Sequence, residues 1–539
     1  MAPKRKAASS AGGSKKSKKA GSEQTKSVLL SVEQIRALGD EIITSTKVNN
    51  LVILLEQFNQ VQEMLISQQD TEVETVGRKL SVVLFTSFSK LLKDGQMIPK
   101  KSYDDKKKMV VNWILDKYTN FKNIMCQYII NQMSFETSVQ LDVLEIYLNL
   151  IKLESQYMKS NVADVYFPNI TYKQLVESIL LSANQFVVLE FAETFKTNWD
   201  LQFYLFNIIN EVLQEWKTTR TEQELQTIVN NFHSLIANGL LLSDNLEEQP
   251  SWIGKIPSIA YKPTTFKNQY QKFIITLLSY PLTTSQYKSI LVILHKRIIP
   301  YMAQPQGLMD FLTDSYDVSD DLIVPILALN SLYELMKQYN LEYPDFYTKL
   351  YSLLTPKLLY TRYRSRFFRL CDLFLSSTHL SGNLVASFIK KLARLSITSS
   401  ASGVVIIIPF IYNLLKRHPT CMIMLHNPEV TPGYTDPFDN QEKNPMNTQA
   451  IGSSLWELET LMSHYHPNIA TLAKIFAEPF RKHSYNMEDF LDWSYISLLQ
   501  SESTRRYKTL AALEFEEFDM LFEQQEESNK RVLLPGWTI

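Results

Sequence analysis

Glycine is scarce in this chain, 14 among 539 residues, and cysteine scarcer still, with three widely spaced at Cys126, Cys371 and Cys421. With so few glycines, long stretches of Leu, Ile, Lys, Glu and Gln run between breakers, and helix is their favoured local state. An odd number of distant cysteines does not describe a disulfide framework and suits a reducing compartment. No apolar run reaches the length of a bilayer crossing, about 20 residues. The nearest, "GVVIIIPFIYNLL" at 403–415, holds Pro409 and reads as a buried core helix. The first residues lack the apolar centre of a secretory signal. There is no Gly-rich phosphate loop, no G-x-S-x-G elbow and no H-E-x-x-H helix, so catalysis has no visible seat and no small-molecule substrate is expected.

What is present describes a soluble globular protein with one large core or two to three ordinary ones: 45% hydrophobic and 21% charged residues. The net charge of -1 hides an asymmetry, because residues 1–26 carry eight basic side chains against Glu23 alone, which leaves the remainder at -8. That tail has too little apolar surface to offset its ordering entropy and is expected to be disordered over 1–27. Its clusters, Lys4, Arg5, Lys6 and Lys15, Lys16, Lys18, Lys19, suit a nuclear import receptor; the plainer reading is a solvated tail that sticks to polyanions.

Beyond the tail, apolar residues recur three and four apart, as in Leu51, Leu54, Leu55, Phe58, Val61, Leu65 and in Val139, Val143, Ile146, Leu150, Leu153. Many such segments, with no period-two alternation and no strict repeat of 34 or 40 residues, predict an all-α fold. The expected architecture is a degenerate α-solenoid of stacked helical hairpins, HEAT/armadillo-like. The main interruptions, at 247–263, 302–307 and 427–453, predict an N-terminal helical region at 28–262 and a C-terminal one at 263–539. A 27-residue loop such as 427–453 is uncommon in a compact domain unless it has a job.

Five of the eight histidines follow residue 400, and His418, Cys421, His426, His464 and His466 raise the question of zinc. Their spacing matches no finger, so packed histidines are expected, with no metal and no cofactor. Asp436, Asp439 and Glu442 in "DPFDNQE" lack the glycine and the last glutamate of a calcium loop, so turn chemistry is the simpler account. Ser454 followed by Glu457 reads as a capping box, ahead of an apolar stripe of Leu455, Leu458, Leu461, Met462 and Tyr465. Pro467 then opens a second helix bearing Ile469, Leu472, Ala473 and Phe476.

Two charged features complete the inventory. In "KLLYTRYRSRFFRL", helical spacing puts Arg362, Arg366 and Arg369 on one face, and "SFIKKLARL" adds Lys390, Lys391 and Arg394. These six are candidate contacts for RNA phosphates or an acidic protein, against the plain reading of solvated faces. Near the end, "LEFEEFDMLFEQQEE" has no basic residue, and its Phe515, Phe518, Leu521 and Phe522 predict a docked helix with an acidic outer side, equally suited to a basic partner.

The phrases "DPFDNQEKNP", "SSLWELETLMSHYHP", "LAKIF" and "YNMEDFLDWSY" together resemble the CCAAT-binding-factor-like domain of the nucleolar complex proteins, over about 322–495. The resemblance implies a non-enzymatic nucleolar assembly factor of the small-subunit processome, acting in small-subunit ribosomal RNA maturation. It further implies a heterodimer with a nucleolar protein of the Nop-fourteen type. It marks Asp436, Pro437, Phe438, Asp439, Ser454, Leu455, Trp456, Glu457, Tyr465, His466 and Pro467 as candidate partner-binding residues. Nothing in the sequence supports base readout of DNA. A direct pre-ribosomal RNA binder working through the tail and the Arg362 to Arg369 ridge is the alternative, but a body at -8 argues against a broad phosphate-tracking surface.

Overall fold

The structure is a computed structural model that describes residues 29–538 except 46, 68–69, 100–102, 131–135, 159–165, 238, 242–248, 255–257, 319–320, 340–342, 344, 427–432, 506–517, 519 and 524–531. The basic tail, with its candidate import residues, lies outside the described residues. The chain divides into two compact units, residues 1–341 and 342–539. The expected join near 262 falls inside the first.

The first unit is built from α1 (Val32–Ser45), α2 (Asn50–Ser67), α3 (Thr71–Lys93), α4 (Asp105–Ile130), α5 (Ser138–Tyr157), α6 (Asn169–Leu181), α7 (Gln185–Thr197), α8 (Trp199–Thr219), α9 (Glu222–Ile236), α10 (Pro263–Leu278), α11 (Thr284–Ile293), α12 (Met309–Asp317) and α13 (Ile323–Tyr339). The apolar spacing in the sequence decides which face each helix buries: Leu51, Leu54, Leu55, Phe58, Val61 and Leu65 of α2 are all buried. Local signals set several starts. Asp70 accepts from the Glu72 N–H ahead of α3, Thr221 with Glu224 and Thr283 with Gln286 form capping boxes for α9 and α11, and Pro263 opens α10.

From α1 to α11 most helices pack on the helix two positions later, α1 on α3, α2 on α4, α3 on α5, and so on through α8 on α10 and α9 on α11. That pattern is a two-layered α-solenoid, with odd-numbered helices in one layer and even-numbered ones in the other. Aromatic side chains pack both within a layer and between layers. Phe206 on α8 meets Phe232, Phe266, Tyr270 and Phe273 with centroids 4.9–6.2 Å apart. Where charge is buried it is partnered: Glu154 accepts from Tyr118 (2.6 Å), Lys122 (3.3 Å) and Thr171 (2.7 Å).

The described residues of the interruption at 247–263 are pinned rather than free. Buried Asp200 accepts from the N–H groups of Leu201 (3.0 Å), Trp252 (2.9 Å) and Ile253 (3.0 Å), while Trp252 Nε1 donates to Leu148 O (2.8 Å) and Trp199 Nε1 to Ala260 O (2.9 Å). Burial pushes the Asp200 carboxyl above its ordinary value, against the pull of these donors.

The second unit contains α14 (Phe346–Ser352), α15 (Arg364–Phe374), α16 (Gly382–Thr398), α17 (Ala401–Arg417), α18 (Trp456–Leu461), α19 (Pro467–Ala473), α20 (Glu488–Leu491) and α21 (Tyr495–Thr504). Its centre is α17, buried at every position from Ala401 to Leu415 with Pro409 inside it, and packed by α16, α19, α20 and α21. No helix among the described residues is long and apolar enough to cross a membrane. All three cysteines are buried and free, and burial raises each thiol above its ordinary value.

Two expectations are corrected here. The acidic segment at 513–528 lies mostly outside the described residues, and its Met520–Glu523 is a short strand, β1, parallel to β2 (Val532–Thr538), where a helix was expected. The arginine ridge is not one helix. Pro356–Tyr360 is a 3-10 helix, and α15 starts only at Arg364, whose guanidinium turns back onto the carbonyls of Leu359 and Trp493 and onto Ser402.

Candidate partner-binding site

The site grows from a polar stripe on an otherwise apolar helix. Ser387, Lys390, Lys391 and Arg394 fall at i, i+3, i+4 and i+7 along α16, so they share one face. Against that face lies the loop at 435–455, which shapes itself by its own side chains. Asp436 accepts from Phe438 N–H (3.1 Å), Asp439 from Gln441 N–H (2.8 Å), Glu442 from Asn444 N–H (2.9 Å) and Asn444 from Met446 N–H (3.0 Å). Each acidic or amide group there closes a turn two residues on. Gln449 takes a left-handed backbone (φ 55°) as the chain swings into the 3-10 turn Ala450–Gly452.

The stripe grips the loop at four points. Ser387 Oγ meets Pro445 O and Thr448 Oγ1 at 2.5 Å each, Lys391 Nζ donates to Asn440 O (3.4 Å), and Lys390 Nζ donates to Ser454 O (2.6 Å). Lys390 Nζ also stands 2.7 Å from Glu457 Oε1, and both side chains are completely buried. Arg394 contacts the same Glu457 oxygen (2.9 Å) and Asp436 (3.3 Å), with its guanidinium 4.9 Å from the Trp456 ring and 6.0 Å from that of Phe438. The Oε1 contacts are charge pairs rather than aligned hydrogen bonds, and Glu457 Oε2 takes no hydrogen bond among the described residues. Burial works against the Asp436 carboxylate, yet Ser453, the Phe438 N–H and the charges of Lys390 and Arg394 hold it below its ordinary value.

This geometry merges two sets of residues that the sequence presents separately. Lys390 and Arg394, candidate RNA contacts, are the counter-charges of Asp436 and Glu457, candidate partner contacts. Lys390 is unavailable to any outside phosphate, and burial lowers Lys391. The capping box is also corrected. Leu455, not Ser454, precedes α18 and is buried without a side-chain cap bond, and Glu457 turns inward because a buried cation recruits a carboxylate more strongly than an exposed backbone N–H does. Sequence reasoning missed Ser387 and Thr448; the i, i+3, i+4, i+7 stripe was the available signal.

Tyr465, expected in the apolar stripe, is 77% exposed, and Trp456 is 42% exposed. Pro437 and Asp439 are exposed as well, while Phe438 is half-buried. His466 Nδ1 accepts from Asn468 N–H (3.3 Å) to start α19 with Pro467 in its first turn, and His464 Nδ1 accepts from His466 N–H (3.0 Å). Desolvation and the neighbouring His466 push His464 below its ordinary value. His418 and Cys421 are occupied structurally, at the carbonyls of Leu375 (2.9 Å) and Gly382 (3.6 Å). Of the ridge, Arg369 is paired bidentately with Glu488 (2.7 and 2.6 Å), Arg362 is exposed, and half-buried Arg366 has one buried nitrogen, Nη1, with no hydrogen-bond partner among the described residues.

Residues 325–473 match the CBF/Mak21 family, and residues 22–218 match the family described as "Nucleolar complex protein 4-like, TPR repeats". The chain is 42% identical to nucleolar complex protein 4 of Saccharomyces cerevisiae, covering 94% of this chain and 97% of that protein. It is 34% identical to nucleolar complex protein 4 homolog B of Xenopus laevis over 77% and 79% of the two chains, and 34% identical to the Danio rerio homolog over 66% and 67%.

Proposed function

The chain belongs to the nucleolar complex protein 4 family, and on that footing we propose that it is a non-enzymatic scaffold of the nucleolus, within the nucleus, that assists ribosome assembly. In this reading it serves the small-subunit processome and maturation of small-subunit ribosomal RNA. It works as a heterodimer with a nucleolar protein of the Nop-fourteen type and meets pre-ribosomal RNA only at its periphery. One observation carries the proposal: the buried Lys390–Glu457 pair locks the start of α18 onto α16 and holds Trp456 at the surface. Rigid aromatics beside a desolvated anchor are the residues that concentrate binding energy at protein interfaces. The charged clusters at Glu154 and Glu457 close on their own neighbours, which suits a structural part better than an acid–base one.

Purification of the full chain at about 1 M salt, where the Debye length falls to about 3 Å, tests this reading. One protein is expected to remain at equal stoichiometry. Retention of RNA with no protein would reverse the assignment.

A second reading keeps a place for direct RNA contact, because Arg362 is exposed and makes no hydrogen bond or ion pair among the described residues. Changing it to glutamine is expected to lower crosslinking to pre-ribosomal RNA and to reduce the salt slope of RNA binding by about 1. The protein partner is retained. An unchanged slope removes the ridge from RNA binding.

A further inference from the structure

Beside the locked loop lies a groove of about 340 Å³ walled by Met424, Leu455, Leu458, Met462 and Phe476, with exposed Trp456 and Glu459 on its rim. Three segments build it: the 3-10 helix Pro419–Met424, α18, and the 3-10 turn Lys474–Phe476. The Leu455 N–H donates to Met424 O (3.0 Å), which ties the start of α18 to the opposite wall. The volume lies in the range of built binding pockets, and two methionines make the wall adaptable to the shape of an occupant.

We propose that this groove receives an amphipathic helix of a protein partner, with apolar residues at i, i+3 or i+4, and i+7, flanked by lysine or arginine. The inference rests on the scaffold reading above and deepens it. The helical form follows from the walls. Their backbone groups are already paired within helical turns, as in Leu458 N–H to Leu455 O (3.1 Å), Met462 N–H to Glu459 O (3.0 Å) and Ala477 N–H to Lys474 O (3.0 Å). Among the described residues no open strand edge is offered there, so an occupant gains no main-chain ladder and must satisfy its own backbone while inserting side chains.

The charge of the occupant follows from the rim. Glu459 is exposed and makes no ion pair among the described residues, and exposed Glu478 follows Ala477 of the groove, against Lys474 one turn earlier. A basic flank therefore complements the rim, and an acidic one is repelled. Trp456 is held from its other side by the Arg394 guanidinium at 4.9 Å, so its ring is fixed before an occupant arrives.

The test uses the full chain with its co-purifying partner. A benzophenone amino acid is placed at Met462 and, as control, at exposed Met109, and the crosslinked peptides are identified by mass spectrometry. The expected product at 462 is one partner segment with apolar residues three and four apart and lysine or arginine beside them. In parallel, Met462→Glu is expected to weaken the complex at least about tenfold. Glu459→Lys, an exposed change that leaves the fold alone, weakens it about threefold, and more at low salt. If the partner still co-purifies but 462 crosslinks to nothing, to an acidic segment or to RNA, or if both variants bind normally, the groove assignment is overturned while the scaffold reading survives. If the unaltered chain holds no protein partner, the scaffold reading itself has failed, and the groove assignment with it.

Discussion

Lys390→Met is expected to destabilise the second unit by about 3–5 kcal/mol, the usual cost of removing one member of a buried ion pair. Lys390 and Glu457 are both completely buried at 2.7 Å, and the same ammonium carries the bond to Ser454 O. Its loss strands a carboxylate in a dry interior with only the partly exposed Arg394 beside it. Denaturant titration reads the loss, and protease cleavage within 433–455 should accelerate. Replacing both partners, as in Lys390→Met with Glu457→Leu, is expected to recover most of the stability, because an apolar pair of similar volume often substitutes for a buried ion pair without penalty. A cost below about 1 kcal/mol for the single change, or no recovery in the double, would show that the pair does not hold the loop.

Asp200→Ala is the second large effect, at about 2–4 kcal/mol. The carboxylate satisfies the N–H groups of Leu201, Trp252 and Ile253, and alanine leaves buried donors without an acceptor. The described residues around Trp252 should then detach, exposing the segment to protease and shifting the urea midpoint down. If 247–263 were a free linker, neither measurement would move. Asparagine keeps one acceptor oxygen and should fall between the two.

These two sites mark where local pattern stops being informative. Helices such as α2 and α17 are legible because their apolar spacing, or continuous apolar run, dictates what must be buried within one element. The matched repeats at 22–218 are described as TPR repeats, although no fixed 34-residue signature is visible in the chain itself. The turns at Asp436, Asp439 and Asn444 are likewise local, and the side chains close them as their chemistry dictates. The pairing of Lys390 with Glu457, 67 positions apart, has no local signal, so each charge reads as a solvated face or a cap. Ser454 and Glu457 satisfy the spacing of a capping box, yet the fold spends the glutamate on a cation that only tertiary structure brings near. The continuous helix expected over the ridge at 357–370 is broken for a related reason: Arg364 finds a carbonyl at Trp493 that is invisible from its own neighbourhood.

The alternating layers of the first unit carry a consequence for how it forms during synthesis. Since most helices from α1 to α11 rest chiefly on the ones immediately before and two before, the emerging polypeptide can add each to a finished platform without waiting for distant sequence. One late clasp departs from this order, Trp252 reaching back to Leu148, and Trp199 Nε1 donates to Ala260 O just ahead of α10. Until residues 252–260 have left the ribosome, the middle of the stack stays unsealed, so that short stretch acts as the zip fastener of nascent-chain folding.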